Sequence, residues 1–226
     1  MHLVIANKLY SSWSMRPWLV MRAAGIDFEE KVIPLRQADT QERILEFSPT
    51  GLVPVLIDGD AVVWESIAII SYLADRFPDK AIFPAGSNAA RAHAKAISVE
   101  MHGGFRALRQ ACPMNLGKRF ATPKLSDELR ADVARLEAMW RDTRARFGAA
   151  GRYLFGVFSA ADAMYAPVVT RLDTYQLPVA EDTRAYMDTV LADPTFLEWK
   201  KQALAEPWTI EAYEEGHLPV ADFRSG

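Results

Sequence analysis

Only one cysteine, Cys112, occurs in the 226 residues. No internal disulfide can form, and such a chain suits a reducing compartment. A lone cysteine without a partner reads as a small buried residue rather than a nucleophile. The four histidines, His2, His93, His102 and His217, show no metal-ligand spacing, so no metal is expected. Glu100 and His102 stand two apart and would diverge on a helix. No glycine-rich phosphate cradle occurs. No run of about 18 uncharged apolar residues exists, which excludes a membrane span. The N-terminal apolar run Leu3–Ala6 falls short of a signal-peptide core of roughly 7–15 residues. Neither sign of charge dominates: 26 Lys and Arg face 29 Asp and Glu, a net charge of −3. That balance gives no general attraction to nucleic acid or acidic membranes. A cytoplasmic globular protein is the expectation.

What is present divides into two halves. The first mixes strands and helices. Leu3–Ala6 reads as a buried strand, and Phe28–Leu35 as a second strand ended by Pro34. Between them lies a helix closed by Gly25. Proline is cheap only in a helix's first turn. Pro17 therefore predicts a start near Trp13 or Ser14, with Ser11 and Ser12 in the preceding loop. Asp39–Phe47 can hold a short helix. Val53–Ile57 and Ala61–Trp64 read as a hairpin about Asp58-Gly59-Asp60. Glu65–Phe77 is an amphipathic helix with Ile69, Leu73 and Phe77 at four-residue spacing. Beyond residues 78–87, Ala-, Arg- and Leu-rich helical stretches take over. Ser126 is placed to cap a helix carrying Leu129, Val133, Leu136 and Trp140 on one face. Ser159–Asp162 reads as a capping box, and Thr195–Leu204 as a further helix.

Three places in the first half could carry chemistry. Ser11-Ser12-Trp13-Ser14 sets hydroxyls at a strand-to-helix junction, where free N–H groups favour an anion; the same serines also serve as caps. Pro54 opens a strand after a glycine turn. A cis bond there would turn the preceding N–H and C=O outward to pair with an extended peptide; a trans bond would be an ordinary strand edge. Glu65-Ser66 places a carboxylate and a hydroxyl at a helix start, able to bind an ammonium and a carboxylate or simply to cap.

The order and spacing of these sites resemble the glutathione transferase superfamily. Tyr10-Ser11-Ser12-Trp13-Ser14-Met15-Arg16 is similar to its serine-type catalytic loop, in which an arginine follows the catalytic residue by five positions. Ser48–Pro54 resembles its segment ending in cis-proline, and Trp64–Ile69 its acidic-Ser motif. The loop is nearest to the zeta-class Ser-Ser-Cys-Ser pattern, but Trp13 stands in place of that cysteine and Pro17 in place of its usual valine.

The resemblance implies a thioredoxin-like N-terminal domain with a mixed four-stranded sheet over residues 1–80. An all-helical C-terminal domain over 88–226 would contribute the electrophile pocket. It implies catalysis by Ser11, with Ser12 and Tyr10 as rivals. Glutathione, as co-substrate, would be held by Ser11, Val53, Pro54, Glu65 and Ser66. Tyr10, Trp13, Phe105, Arg109 and Met114 would line the pocket for a small hydrophobic electrophile. The glycyl carboxylate falls to Arg36, Gln37 or a second subunit of a homodimer. Conjugation or peroxide reduction is the leading activity implied. Zeta-type isomerisation and a catalytically silent binding protein of the same fold are the alternatives.

Overall fold

Leu3, Val4 and Ile5 are all buried, which an interior strand requires, and they form β1 (His2–Ile5). The structure, a computed structural model, describes residues 1–224. β2 (Glu29–Val32) lies parallel to β1, while β3 (Val55–Asp58) and β4 (Ala61–Trp64) add antiparallel strands in the order β2-β1-β3-β4. A two-residue Gly59-Asp60 loop joins β3 to β4, with Gly59 at φ 58°, where glycine has no steric penalty. Side chains alternate across the sheet. Leu3 and Ile5 face the main core under α1 (Ser12–Ala23) and α3 (Ser66–Arg76). Val4 faces Ile33, Val55 and Ile44 of α2 (Thr40–Leu45) on the other side.

Several boundaries differ from the sequence reading. α1 begins at Ser12, not Trp13 or Ser14, so Pro17 is its sixth residue. Proline there leaves the Trp13 carbonyl without its helical donor, at a cost of about 3 kcal/mol. Burial of Met15, Trp18, Leu19 and Met21 on the same helix offsets it. The second strand is confined to Glu29–Val32, and Val53 lies before β3 rather than inside it. Phe77 caps α3 rather than extending it.

The second half comprises α4 (Asn88–Gly103), α5 (Arg106–Ala111), α6 (Asp127–Phe147), α7 (Ala160–Thr174), α8 (Glu181–Leu191) and α9 (Pro194–Leu204). It is not wholly helical. Lys118–Phe120 (β5) pairs antiparallel with Pro219–Asp222 (β6). α7 is the central helix, buried at every residue but Asp173, and it packs on α1. Small alanines at 160, 161, 163 and 166 permit that approach. Ser126 caps α6 by accepting from the Leu129 N–H at 3.2 Å. Asp162 closes the capping box of α7, accepting from the Ser159 N–H and Oγ at 2.9 Å each and from the Leu154 N–H and Tyr186 Oη at 3.1 Å each.

The chain's far end reaches back to the β1–α1 loop. Glu206 accepts from the Lys8 and Leu9 backbone N–H groups at 2.7 and 3.1 Å, and Trp199 Nε1 donates to the Lys8 carbonyl at 3.0 Å. The Lys8 ammonium is buried between the Trp18 and Trp199 rings and pairs with Glu30 at 2.6 Å. The loop before α1 is therefore held from both halves.

Cys112 is fully buried, and burial pushes its thiol up to about 12. A thiol-reactive dye at pH 8 is expected to leave the folded chain unlabelled and to titrate one thiol per chain after denaturation. Labelling of the native protein within minutes would show the thiol to be accessible. No helix among the described residues is long and apolar enough to cross a membrane.

Candidate active site

The loop from Asn7 to Ser14 is built from backbone bonds first. The Asn7 carbonyl accepts from the Tyr10 and Ser11 N–H groups at 3.2 and 2.8 Å, turning the chain off β1 into α1. Ser11 is the N-cap, its Oγ accepting the Ser14 N–H at 3.3 Å and donating to Ser14 Oγ at 2.8 Å. Ser14 Oγ in turn accepts the Ala6 N–H at 3.0 Å. Ser11 thus ties helix to strand. Ser12 is held differently: its Oγ accepts from Arg171 Nη2 of α7 at 3.2 Å, and among the described residues its hydroxyl hydrogen has no acceptor. Both serines are largely buried but line the same cavity.

The Val53–Pro54 bond is cis. No hydrogen bond among the described residues uses the Val53 N–H or carbonyl. Glu65 precedes α3 at φ 68°, ψ 124°, a left-handed backbone that costs a non-glycine residue roughly 1–3 kcal/mol. Its carboxylate is exposed and meets His102 Nε2 at 3.2 Å. Burial and the Arg16 charge both lower the His102 pKa, so at neutral pH the imidazole leaves the Glu65 charge uncancelled. Ser66 is fully buried at the first position of α3, ahead of the first intrahelical bond, which Ile69 N–H donates to the Glu65 carbonyl at 2.9 Å. Arg16 Nη1 donates to Ser66 Oγ at 3.4 Å from below.

Two cavities meet at Trp13, Leu52 and Val53. One, of about 270 Å³, is closed by Thr50, Pro54, Trp64, Glu65 and His102. The other, of about 340 Å³, holds Ser11 and Ser12 with Tyr10, Arg109, Met114 and Arg171. Trp13 lines both, with the Arg16 guanidinium 4.4 Å and the Arg109 guanidinium 5.0 Å from its ring centre.

Of the residues expected at the site, Ser66 and Phe105 line neither cavity: Ser66 is fully buried beside Glu65, and Phe105 packs in the core with its ring centre 6.5 Å from that of Tyr165. Tyr10 lines the cavity, but its phenol donates to Glu214 at 2.8 Å. Burial, then that hydrogen bond, pushes the phenol up to about 12, so its proton is already committed. Arg36 and Gln37 line neither cavity, although Leu35 does. Sequence reasoning noted Arg16 only as part of the loop motif and gave no role to His102 or Arg171. Arg171 carries no local signal, because its contact with Ser12 is made by α7 packing on α1.

Residues 10–76 match the model of the family described as "Glutathione S-transferase, N-terminal domain", and residues 119–201 that of "Glutathione S-transferase, C-terminal domain". The chain belongs to the glutathione transferase superfamily. Among similar proteins, "Glutathione S-transferase Z2" of Arabidopsis thaliana is 33% identical over 101 residues, 42% of this chain and 45% of that one. A "Probable maleylacetoacetate isomerase" of Caenorhabditis elegans is 33% identical over 104 residues, 44% and 48% of the two chains. The match spans about half the length of these two relatives. A crystal structure of a "glutathione transferase homolog" from Burkholderia gl BGR1, "with bound glutathione", superposes with a TM-score of 0.68 at 22% identity, over 91% of this chain and 98% of that one. That likeness shows the fold of this superfamily member. Its thioredoxin-like sheet supplies the serine loop and the Glu65-Ser66 start of α3, and its helical half supplies Arg109, Met114 and Arg171.

Proposed function

We propose that this glutathione transferase binds glutathione across the two cavities and transfers its sulfur to a small electrophile. Glu65 attracts the γ-glutamyl ammonium, and the Ser66 hydroxyl with the open N–H groups of α3 receives the γ-glutamyl carboxylate. Val53, with its N–H and carbonyl free of protein partners, pairs with the cysteinyl unit as an added strand does. That path carries the thiol past Trp13 to the serine loop.

The observation that carries the reading is the state of Ser12. Arg171 donates into its oxygen, so the hydroxyl hydrogen is free to be donated toward a sulfur in the cavity. A free thiol has a pKa of about 8.5. Lowering it by about two units takes roughly 2.7 kcal/mol. One hydrogen bond to a charged group, at about 1.5–3 kcal/mol, and a helix N-terminus, at about 0.3–1, supply that amount. In this assignment Ser12 is the donor to the thiolate and Ser11 positions it through the N-cap. The chain would thus ionise a sulfur that its ligand brings.

Titration calorimetry on the full chain tests the binding step. Glutathione is expected to bind at millimolar concentration or below, and Glu65→Gln to weaken it by about tenfold through loss of one charge-assisted contact. No heat at millimolar glutathione would leave a silent protein of the same fold.

A further inference from the structure

We infer that His102 competes with the ammonium of glutathione for Glu65, so that protonation of the imidazole loosens the γ-glutamyl end of the site. This deepens the glutathione reading and rests on it.

Among the described residues the Glu65 carboxylate meets only His102 Nε2, at 3.2 Å. The two come from different elements: Glu65 precedes α3 at φ 68°, and His102 lies in the last turn of α4. Both line the smaller cavity, together with Thr50, Val53 and Pro54. The Glu65 side chain is 49% exposed and that of His102 23%, so the acid is the more open of the two to a ligand.

The surroundings hold the ring neutral. A carboxylate facing Nε2 favours the tautomer with its proton there. The second proton must then enter at Nδ1, which is buried with no partner. The Trp13 ring packs edge-on against the imidazole, with centres 5.0 Å apart. Three charged groups face it: Glu65 ahead of α3, Arg16 on α1, and Arg109 on α5, whose Nη2 donates to the His102 carbonyl at 2.8 Å. α7 also packs on α4, but its Tyr165 phenol donates to the Ile97 carbonyl. Burial first, and then Arg16, outweigh Glu65 and hold the imidazole below its ordinary pKa.

A second proton changes what Glu65 can do. Beside a neutral ring the carboxylate keeps its full charge for an incoming ammonium. An imidazolium cancels that charge from 3.2 Å and sets a like charge beside the ammonium. The two cations therefore exclude one another. Glutathione binds the neutral ring, and by reciprocity bound glutathione makes the ring harder to protonate.

S-methylglutathione is the probe, because its sulfur carries no proton to titrate. In calorimetry on the full chain its Kd is expected to be about threefold or more higher at pH 5.5 than at pH 7.5. His102→Gln keeps an amide N–H near the position of Nε2 but takes up no proton. Its Kd at pH 7.5 should lie within about twofold of that of the unaltered chain, and the pH dependence should vanish. In the unaltered chain, the His102 ring signal in NMR should titrate at lower pH with S-methylglutathione bound than without it. A flat Kd, a slope kept in His102→Gln, or a His102 titration unmoved by the ligand would each overturn the inference and leave the glutathione reading in place. No binding at either pH would overturn both.

Discussion

Ser12→Ala is expected to lower kcat about ten- to a hundredfold, the loss of one hydrogen bond to a charged sulfur. The acid limb of the pH–rate profile should move up by about 1–2 units, because the bound thiol ionises later. The KM for glutathione should change little, since Glu65, Ser66 and Val53 are untouched. Ser11→Ala should behave differently. It removes the N-cap acceptor for the Ser14 N–H and the bond to Ser14 Oγ, which costs about 1 kcal/mol of stability. Its effect should appear first in thermal melting and only secondarily in turnover. Kinetics across pH 5–9, with melting curves for both variants, separate the roles. A larger kcat loss and pH shift in Ser11→Ala would hand the sulfur contact to Ser11.

The largest stability loss should follow Asp162→Ala. The carboxylate accepts four hydrogen bonds at the buried start of α7, from Leu154, twice from Ser159, and from Tyr186. Alanine would leave four donors in the core without an acceptor. Each buried unsatisfied donor costs about 1–3 kcal/mol, and a loss above roughly 4 kcal/mol fits the removal of such a network. The pH dependence has a definite sign. Burial raises Asp162 from 3.8 to about 6 against the pull of its four donors. The folded-state value lies above the unfolded one, so folding takes up a proton in that window. This group's contribution is therefore greatest below 3.8 and declines as pH rises through about 6. Urea titrations at pH 4 and pH 7 on both chains check this: Asp162→Ala should be less stable at either pH, with this component of the slope gone. A loss below 1 kcal/mol would mean that water replaces the carboxylate.

Much of the fold was legible because it rests on local chemistry. Gly59 in the hairpin, Ser126 before an amphipathic run and the Ser159–Asp162 box each specify a turn or a cap within four residues. The Glu65-Ser66 pair was legible as a helix start for the same reason: Ser66 opens α3 and Glu65 precedes it. Tertiary packing decided the rest. Pro17 looked like a helix-start marker, but the burial of Trp18 and its neighbours carries α1 past it. β5 is three residues with two charges, and its partner strand lies about a hundred residues later, so no periodicity announces it. Arg171 reaches Ser12, 159 residues away in sequence, only because α7 packs on α1. His102 has no metal-ligand spacing in the sequence, whereas in the fold it is half-buried beside Glu65 with its pKa lowered.

The grip of Glu206 on the serine loop sets a schedule for the nascent chain. The loop is synthesised well before its anchor: its Lys8 N–H waits for an acceptor 198 residues downstream. Until that segment has emerged from the ribosome, the sheet can form while the loop lacks its last anchor. A chain shortened before Glu206 would then keep the sheet but carry slack in the serine loop. Under the proposed function, a sulfur held there would be ionised only after that segment had folded back onto the loop.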